Sequence, residues 1–221
     1  MAYDERLAAE ALPTVRCFVW EPAAISLGWK QSPPAWLETR AWQSTGVETV
    51  ERPTGGGVAF HGSDVSLAVV VPRHAAPSLD QVMRAVCHQA VRLCETYAAH
   101  ADALIDVDAR RRVTHCLTEV SPYAVLLRGR KVAGFALRRY PKSWLIQGSL
   151  LVRPLPQALM RALPAALQEA LRARAISLSE AAETPLHEHD VAARWTQHWS
   201  LWWDDMASDL KPLAAGSGWS S

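Results

Sequence analysis

Four kinds of side chain in this sequence could do chemistry, and they are spread over its first 131 residues. Gly55-Gly56-Gly57 lies between two strand-like runs. Three consecutive glycines permit positive φ and a close backbone approach to a ligand, and their exposed N–H groups could bind a phosphate or an oxyanion. The spacing matches neither a Walker loop nor a dinucleotide fingerprint. On the glycines alone, a hairpin loop is the simpler reading. His61 closes the same segment, where a strand-end histidine bonded to backbone and a direct role are about equally reasonable. Lys131 follows a Gly129-Arg130 turn, the ordinary place for an exposed lysine. A cation there could also stabilise negative charge on an oxygen or lower the pKa of a neighbouring thiol.

The fourth kind is cysteine. Cys17, Cys87, Cys94 and Cys116 form no CxxC pair, so neither a zinc knuckle nor a redox motif is expected. Most free cysteines are small buried hydrophobes, and that reading suits Cys17 and the helical pair Cys87 and Cys94. His187-Glu188-His189 cannot present all its side chains on one helix face, and no metal site is expected. Arg110-Arg111-Arg112 is most simply a solvated loop.

The elements that must carry these residues follow from hydrophobic pattern. Residues 3–11 predict a short helix, 15–20 and Ile25 to Trp29 two strands, and 35–43 a helix opened by Pro33-Pro34. Val58–Phe60 and Val65–Val71 are expected to form a hairpin. Ser78 with Gln81 predicts a capping box and a helix over 78–98, with Leu79, Val82, Met83, Val86, Ala90, Leu93, Cys94 and Tyr97 on its apolar face. A turn-rich charged stretch follows. Strands are then expected at 112–117, 122–127 and 131–138, and Ser143 to Val152 continues the sheet. Beyond 155 the pattern is helical, broken at Pro164 and Pro185. Trp195, Trp199, Trp202 and Trp203 share a face of a last helix over 188–209, a surface that suits core packing. Strands come in runs without regular βα alternation, which predicts an α+β fold with a mixed or antiparallel sheet and packed helices.

Composition narrows the function classes. The chain has 221 residues, 49% of them hydrophobic, ten tryptophans and a formal charge of +1. This suits one domain with a small C-terminal addition and argues against a nucleic-acid binder. No apolar run reaches the length of a membrane span and the acidic start is unlike a signal region, so no membrane association and a cytoplasmic location are expected. The expected organisation is a catalytic domain over 1–185, a Trp-rich helix packed on it over 186–210, and a flexible tail over 211–221.

The surroundings of the glycines carry a resemblance. Arg52-x-Thr54-Gly55-Gly56-Gly57-x-x-Phe60-His61 resembles the signature loop of the lipoate–protein ligase, octanoyltransferase and biotin ligase superfamily. Four further segments agree in the family's order. They are Ala2-Tyr3-Asp4-Glu5, Trp20 to Gly28, Gly129-Arg130-Lys131-Val132-Ala133-Gly134, and Gly148-Ser149-Leu150-Leu151. The resemblance covers roughly residues 1–152 and implies a class II synthetase or biotin/lipoate ligase-like fold. It makes Lys131 the active-site lysine. It implies a substrate pocket built from Arg52, Thr54, Gly55, Gly56, Gly57, His61, Gly134, Ala136, Gly148 and Ser149.

Cys116 divides the family. It lies fifteen residues before Lys131 with Ser121-Pro122-Tyr123 between, which resembles the nucleophile of the cysteine-dependent octanoyltransferases. The implied reaction is two-step acyl transfer through a Cys116 thioester. The acyl group comes from acyl carrier protein or a lipoyl domain. The acceptor is a lysine of a lipoyl-domain protein such as glycine cleavage H protein. The octanoyl or lipoyl group is then substrate, with no cofactor. The alternatives are an ATP-dependent lipoate ligase, the one case requiring ATP, and a non-catalytic homologue that binds acyl-carrying partners. The Asn-Asp pair typical of the ligases is absent between Cys116 and Lys131. Phe135 stands where the family usually has a small residue, Leu137 follows Ala136 in place of glutamine, and Ile146-Gln147-Gly148 replaces Gln-His-Gly. These changes border the implied pocket and bear on acyl-chain preference.

Overall fold

The computed structural model describes residues 1–74, 78–97, 99–105, 114–119 and 121–200. The chain forms two sheets. The larger has six strands, β1 (Thr14–Phe18), β5 (Asp64–Pro72), β9 (Ser143–Leu151), β8 (Arg130–Arg139), β7 (Ala124–Leu127) and β6 (Ala101–Leu104), in that spatial order. Every neighbouring pair in it is antiparallel. The smaller sheet has β2 (Ala24–Leu27) between β3 (Glu48–Glu51), which is parallel to it, and β4 (Ala59–Phe60), which is antiparallel. The α+β expectation with a mixed and antiparallel sheet is met.

The central strands are near-continuous apolar runs because both faces are covered. All nine residues of β5 are buried, as expected for a strand packed on two sides. One face packs on α3 (Leu79–Glu95), whose Val82, Met83, Val86, Ala90, Leu93 and Cys94 point inward at helical spacing. Trp195 and Trp199 complete this core from a helix of which residues 188–200 are described. Around the smaller sheet, Ile25, Leu27, Trp36, Val58 and Phe60 pack against Leu159, Leu163, Leu167 and Leu171. Those leucines come from α4 (Gln157–Ala162), its C-cap Leu163, and α5 (Ala165–Arg174). The helix α1 (Ala2–Ala9) covers β5 and β9 near Val70 and Leu145. A short α6 (Leu178–Ala182) starts at a true capping box of Ser177 and Glu180.

Several local expectations are corrected. Val58–Phe60 and Val65–Val71 do not pair with each other. β4 pairs with β2 in the small sheet, while β5 pairs with β1 and β9 in the large one. Gly62, at φ 108°, and the segment around it carry the chain from one sheet to the other. The helix expected over 35–43 is split into a 3-10 turn (Ala35–Glu38) and a single helical turn α2 (Arg40–Gln43), because Thr39 is extended and caps the second piece. Only half the capping box at Ser78 forms, with its hydroxyl accepting from Gln81 N–H. Residues 114–119 make an isolated bridge and turns where a strand was expected. β6 emerges from the stretch expected to be loop. The β7–β8 turn falls on Arg128 and Gly129, at φ 51° and 72°, one residue earlier than expected. Positive φ at both positions is what a two-residue hairpin turn needs. Arg110-Arg111-Arg112, Trp202, Trp203 and the 211–221 tail lie outside the described residues.

Candidate active site

The triple-glycine loop is held from inside by one buried cation. Arg52, 7% exposed, donates from Nη1 to the carbonyl and hydroxyl of Ser26, both at 3.0 Å. Its Nη2 donates to the carbonyls of Gly55 at 2.9 Å and Gly57 at 2.7 Å. Burial lowers the Arg52 pKa, while the neighbouring Cys116 raises it. The carbonyl dipoles around the guanidinium replace the water it has lost. Arg52 thus shapes the loop. Gly28 meets the loop from the other side, where an added Cβ would lie 2.1 Å from the Gly56 carbonyl oxygen.

The loop in turn places Cys116. Val58 N–H donates to the Thr114 carbonyl at 2.8 Å, and Cys116 N–H donates to the Val58 carbonyl at 2.9 Å. This is a short parallel bridge. A Cβ on Gly57 would lie 2.4 Å from the Thr114 carbonyl carbon and oxygen. Only glycine allows the two backbones to approach so closely. Glu119 steadies the same turn by accepting from Thr114 and His115 N–H at 2.8 and 2.9 Å.

Lys131 arrives from β8 by a bulge. Val125 faces Ala133 and Leu126 faces Lys131, so Val132 is the extra residue in the ladder. Val132 and Ala133 both enter the core. A bulge re-aims the side chains beyond it, and here it turns Lys131 onto the face of Gly134. An ideal Cβ on Gly134 would lie 3.2 Å from both Lys131 Nζ and Cys116 Sγ. The missing methyl is therefore the gap between a thiol and a cation. Lys131 Nζ donates to the Glu119 carbonyl at 3.1 Å and the Ser121 hydroxyl at 2.7 Å.

These residues border a cavity between the two sheets. Cys116, Gly56, Gly57, Arg52 and His61 line one side, and Gly134, Ala136, Gly148 and Ser149 line the other. Phe18, Leu67 and Phe135 supply apolar walls. Gly148 gives way to the Phe135 ring, whose Cδ1 lies 2.1 Å from where a Cβ would stand. Three expected site residues do not reach the cavity surface. Thr54 is buried and donates to Gln147 Oε1 at 2.8 Å. Gly55 offers only its carbonyl to Arg52. Lys131 is 4% exposed and lies behind Ser121, which does line the cavity. Gln147 links this wall to the first helix, donating to Asp4 at 2.9 Å. Asp4 also pairs with Arg16, which accounts for the aspartate of the Ala2-Tyr3-Asp4-Glu5 motif.

His61 belongs to a buried polar network. Its ring stacks on Trp20 at 4.4 Å between centroids. Nε2 lies 2.8 Å from Ser26 Oγ and Nδ1 lies 2.9 Å from Asp64 Oδ2. Burial alone pushes the Asp64 carboxyl up. The charge and hydrogen bond of His61, with bonds from Ser149 at 2.6 Å and Gly62 N–H at 3.1 Å, reverse this and hold it below the ordinary aspartate value. Ser26, Asp64 and Ser66 were not expected here. Asp64 carries a weak sequence signal, as a carboxylate opening an otherwise apolar run.

The other thiols are chemically quiet. Burial pushes Cys17, Cys87 and Cys94 up to about 12. Cys116 is half-buried and opens on the cavity. A thiol beside a cation at an apolar cavity is arranged for covalent acyl chemistry. Among the described residues, no cluster of His, Cys, Asp or Glu could hold a metal ion.

Comparison with known proteins agrees with this arrangement. Residues 1–200 match the lipoyl protein ligase A/B catalytic domain. The octanoyltransferase LipM of Symbiobacterium thermophilum is 32% identical over 205 residues, covering 84% of this chain and 75% of that protein. The LipM of Kyrpidia tusciae is 30% identical, covering 72% of this chain and 63% of that protein. Among solved structures, the fold is similar to lipoate-protein ligase A bound with ATP, at TM-score 0.66 and 16% identity, over 90% of this chain and 79% of that one. It is also similar to a bipartite lipoate protein ligase from Thermoplasma acidophilum, at TM-score 0.64 and 14% identity, over 95% and 87% of the two chains. At these identities the structural likeness speaks for the fold alone. The chain belongs to the lipoyl protein ligase A/B catalytic domain family. Within it, the relatives make this an acyltransferase.

Proposed function

We propose that the chain is a protein N-octanoyltransferase that works through an acyl thioester on Cys116. The observation that carries this is that Cys116 Sγ, at the wall of an apolar cavity, and Lys131 Nζ, behind that wall, both lie 3.2 Å from the position of a Cβ on Gly134. The LipM relatives support the octanoyl group as cargo.

The reaction begins with the Cys116 sulfur, as thiolate, attacking the carbonyl carbon of an octanoyl thioester on acyl carrier protein. The new C–S bond pushes the carbonyl π pair onto oxygen. Collapse restores the carbonyl and breaks the bond to the carrier sulfur. The carrier leaves as thiol, taking up the proton that Cys116 gave up. The amine of a lipoyl-domain lysine then attacks the Cys116 thioester. It loses a proton, the amide forms, and Cys116 regains its thiol. The Lys131 ammonium and the Cys116 sulfur, which attacks in the first half-reaction and leaves in the second, each lie 3.2 Å from the position of a Cβ on Gly134. Both steps draw on thioester energy, so neither ATP nor a metal is required. The acceptor is a lipoyl-domain protein of the glycine cleavage H protein kind.

The test is intact-mass analysis after mixing the protein with octanoyl carrier protein. The expected result is one octanoyl adduct, lost in Cys116→Ser and discharged by added H protein. An adduct that persists in Cys116→Ser, or acyl-adenylate formation with ATP independent of Cys116, overturns the reading.

A further inference from the structure

Lys131 does not meet the cavity, but Ser121 does. The ammonium donates to the Glu119 carbonyl and to Ser121 Oγ at 2.7 Å, and it is 4% exposed. Ser121 Oγ therefore spends a lone pair on the lysine and keeps its own hydrogen. No acceptor for that hydrogen occurs among the described residues. The hydroxyl stands at the wall that also bears Cys116 and Gly134. A bond from a cation to a hydroxyl oxygen polarises the O–H and makes it a stronger donor.

We propose that Ser121 is a catalytic residue, donating its hydroxyl hydrogen bond to the thioester oxygen as Cys116 adds to the carbonyl. This rests on the acyl-transfer reading above. The carbonyl π pair moves onto the oxygen when the Cys116 C–S bond forms, and the negative charge is met by the Ser121 O–H. The proton stays on Ser121 throughout, so the hydroxyl is unchanged when the carrier thiol departs. Lys131 acts on the oxygen through Ser121, whose Oγ accepts from its ammonium at 2.7 Å. A preorganised donor aimed at the charge that appears only in the transition state changes kcat more than binding.

Two reactions at the same sulfur separate this role from a structural one. Acylation by octanoyl carrier protein passes through an oxyanion. Alkylation by iodoacetamide is a displacement at a saturated carbon and does not. Ser121→Ala is expected to slow single-turnover acylation about a hundred-fold, with KM changed less than about three-fold. Its alkylation rate stays within about two-fold of wild type. Ser121→Thr, which keeps a hydroxyl, recovers most of the acylation rate. Ser121→Gly repeats the test should the alanine variant not fold. Acylation at the wild-type rate in both hydroxyl-less variants overturns the proposal. So does a parallel fall of acylation and alkylation, which would make Ser121 only a prop for Lys131. If wild type forms no Cys116 adduct at all, the acyl-transfer reading itself fails, a result distinct from either.

Discussion

The backbone N–H of Cys116 donates to the carbonyl of Val58 at 2.9 Å, so the candidate nucleophile is a strand partner of the triple-glycine segment. The loop and the cysteine are one structural unit, although 58 residues of chain separate the two bonded positions. What disturbs the glycines must therefore reach the sulfur.

Gly57→Ala tests this directly. The new methyl would stand 2.4 Å from the Thr114 carbonyl, a backbone atom that cannot rotate away. The 114–116 segment has to shift, and Cys116 moves with it. A displacement near 1 Å at a reacting group costs on the order of a hundred-fold in rate. Single-turnover acylation should fall by about that factor, while circular dichroism still reports a folded protein. Wild-type acylation in this variant would show that the bridge does not position the sulfur.

Arg52→Met removes a buried cation whose four donors hold Ser26, Gly55 and Gly57. Each buried acceptor left unpaired costs about 1–3 kcal/mol. The expected loss of unfolding free energy is about 3 kcal/mol or more, read from urea denaturation. Loss of the ordered loop should also abolish acylation. A change below about 1 kcal/mol would mean that water replaces the guanidinium at little cost.

The Asp64 carboxyl titrates below its ordinary value because His61, Ser149 and Gly62 outweigh the effect of burial. A folded-state value below the unfolded one adds stability that is complete above the unfolded value, about 3.9. It is lost as pH falls through the folded value. Unfolding free energy should therefore drop on acidification below about pH 4. Asp64→Asn should be less stable at pH 7 and show a shallower acid limb over that window. Urea melts from pH 7 to pH 3 compare the two, and identical slopes would remove Asp64 from the account.

The Phe135 ring lies over Gly148 and walls the cavity. Phe135→Ala should lengthen the space available to an acyl chain. Each methylene newly buried is worth about 0.8 kcal/mol. The kcat/KM ratio of decanoyl to octanoyl carrier protein should thus rise about ten-fold. The same truncation costs about 3 kcal/mol of stability. An unchanged ratio would place the acyl chain along another wall.

Much of the fold was legible in the sequence because its signals are local. The helical spacing of Val82, Met83, Val86, Ala90, Leu93 and Cys94 describes the face that α3 buries. The apolar run from Leu67 to Val71 in β5 belongs to a strand buried along its whole length. The motifs around Arg52, the glycines, Lys131 and Gly148 belong to the family whose catalytic domain matches residues 1–200. Where two strands were near in sequence but belonged to different sheets, as with β4 and β5, proximity suggested a hairpin that the packing did not form.

By itself, then, the sequence determined the family, the main helices and strands, and the list of residues from which a site is made. Tertiary structure decided what those residues do. The bulge at Val132 turned Lys131 onto the face of Gly134, against the alternation a regular strand would impose. Burial drew Thr54 and Arg52 into support of the loop and set Ser121 between Lys131 and the cavity. It also gathered His61, Asp64, Ser66 and Ser149 into one network. The physical reason is range. Periodicity, capping and turn preference act over a few residues, whereas a ladder register, a bulge or a buried polar bond forms between segments that only the packed core brings together.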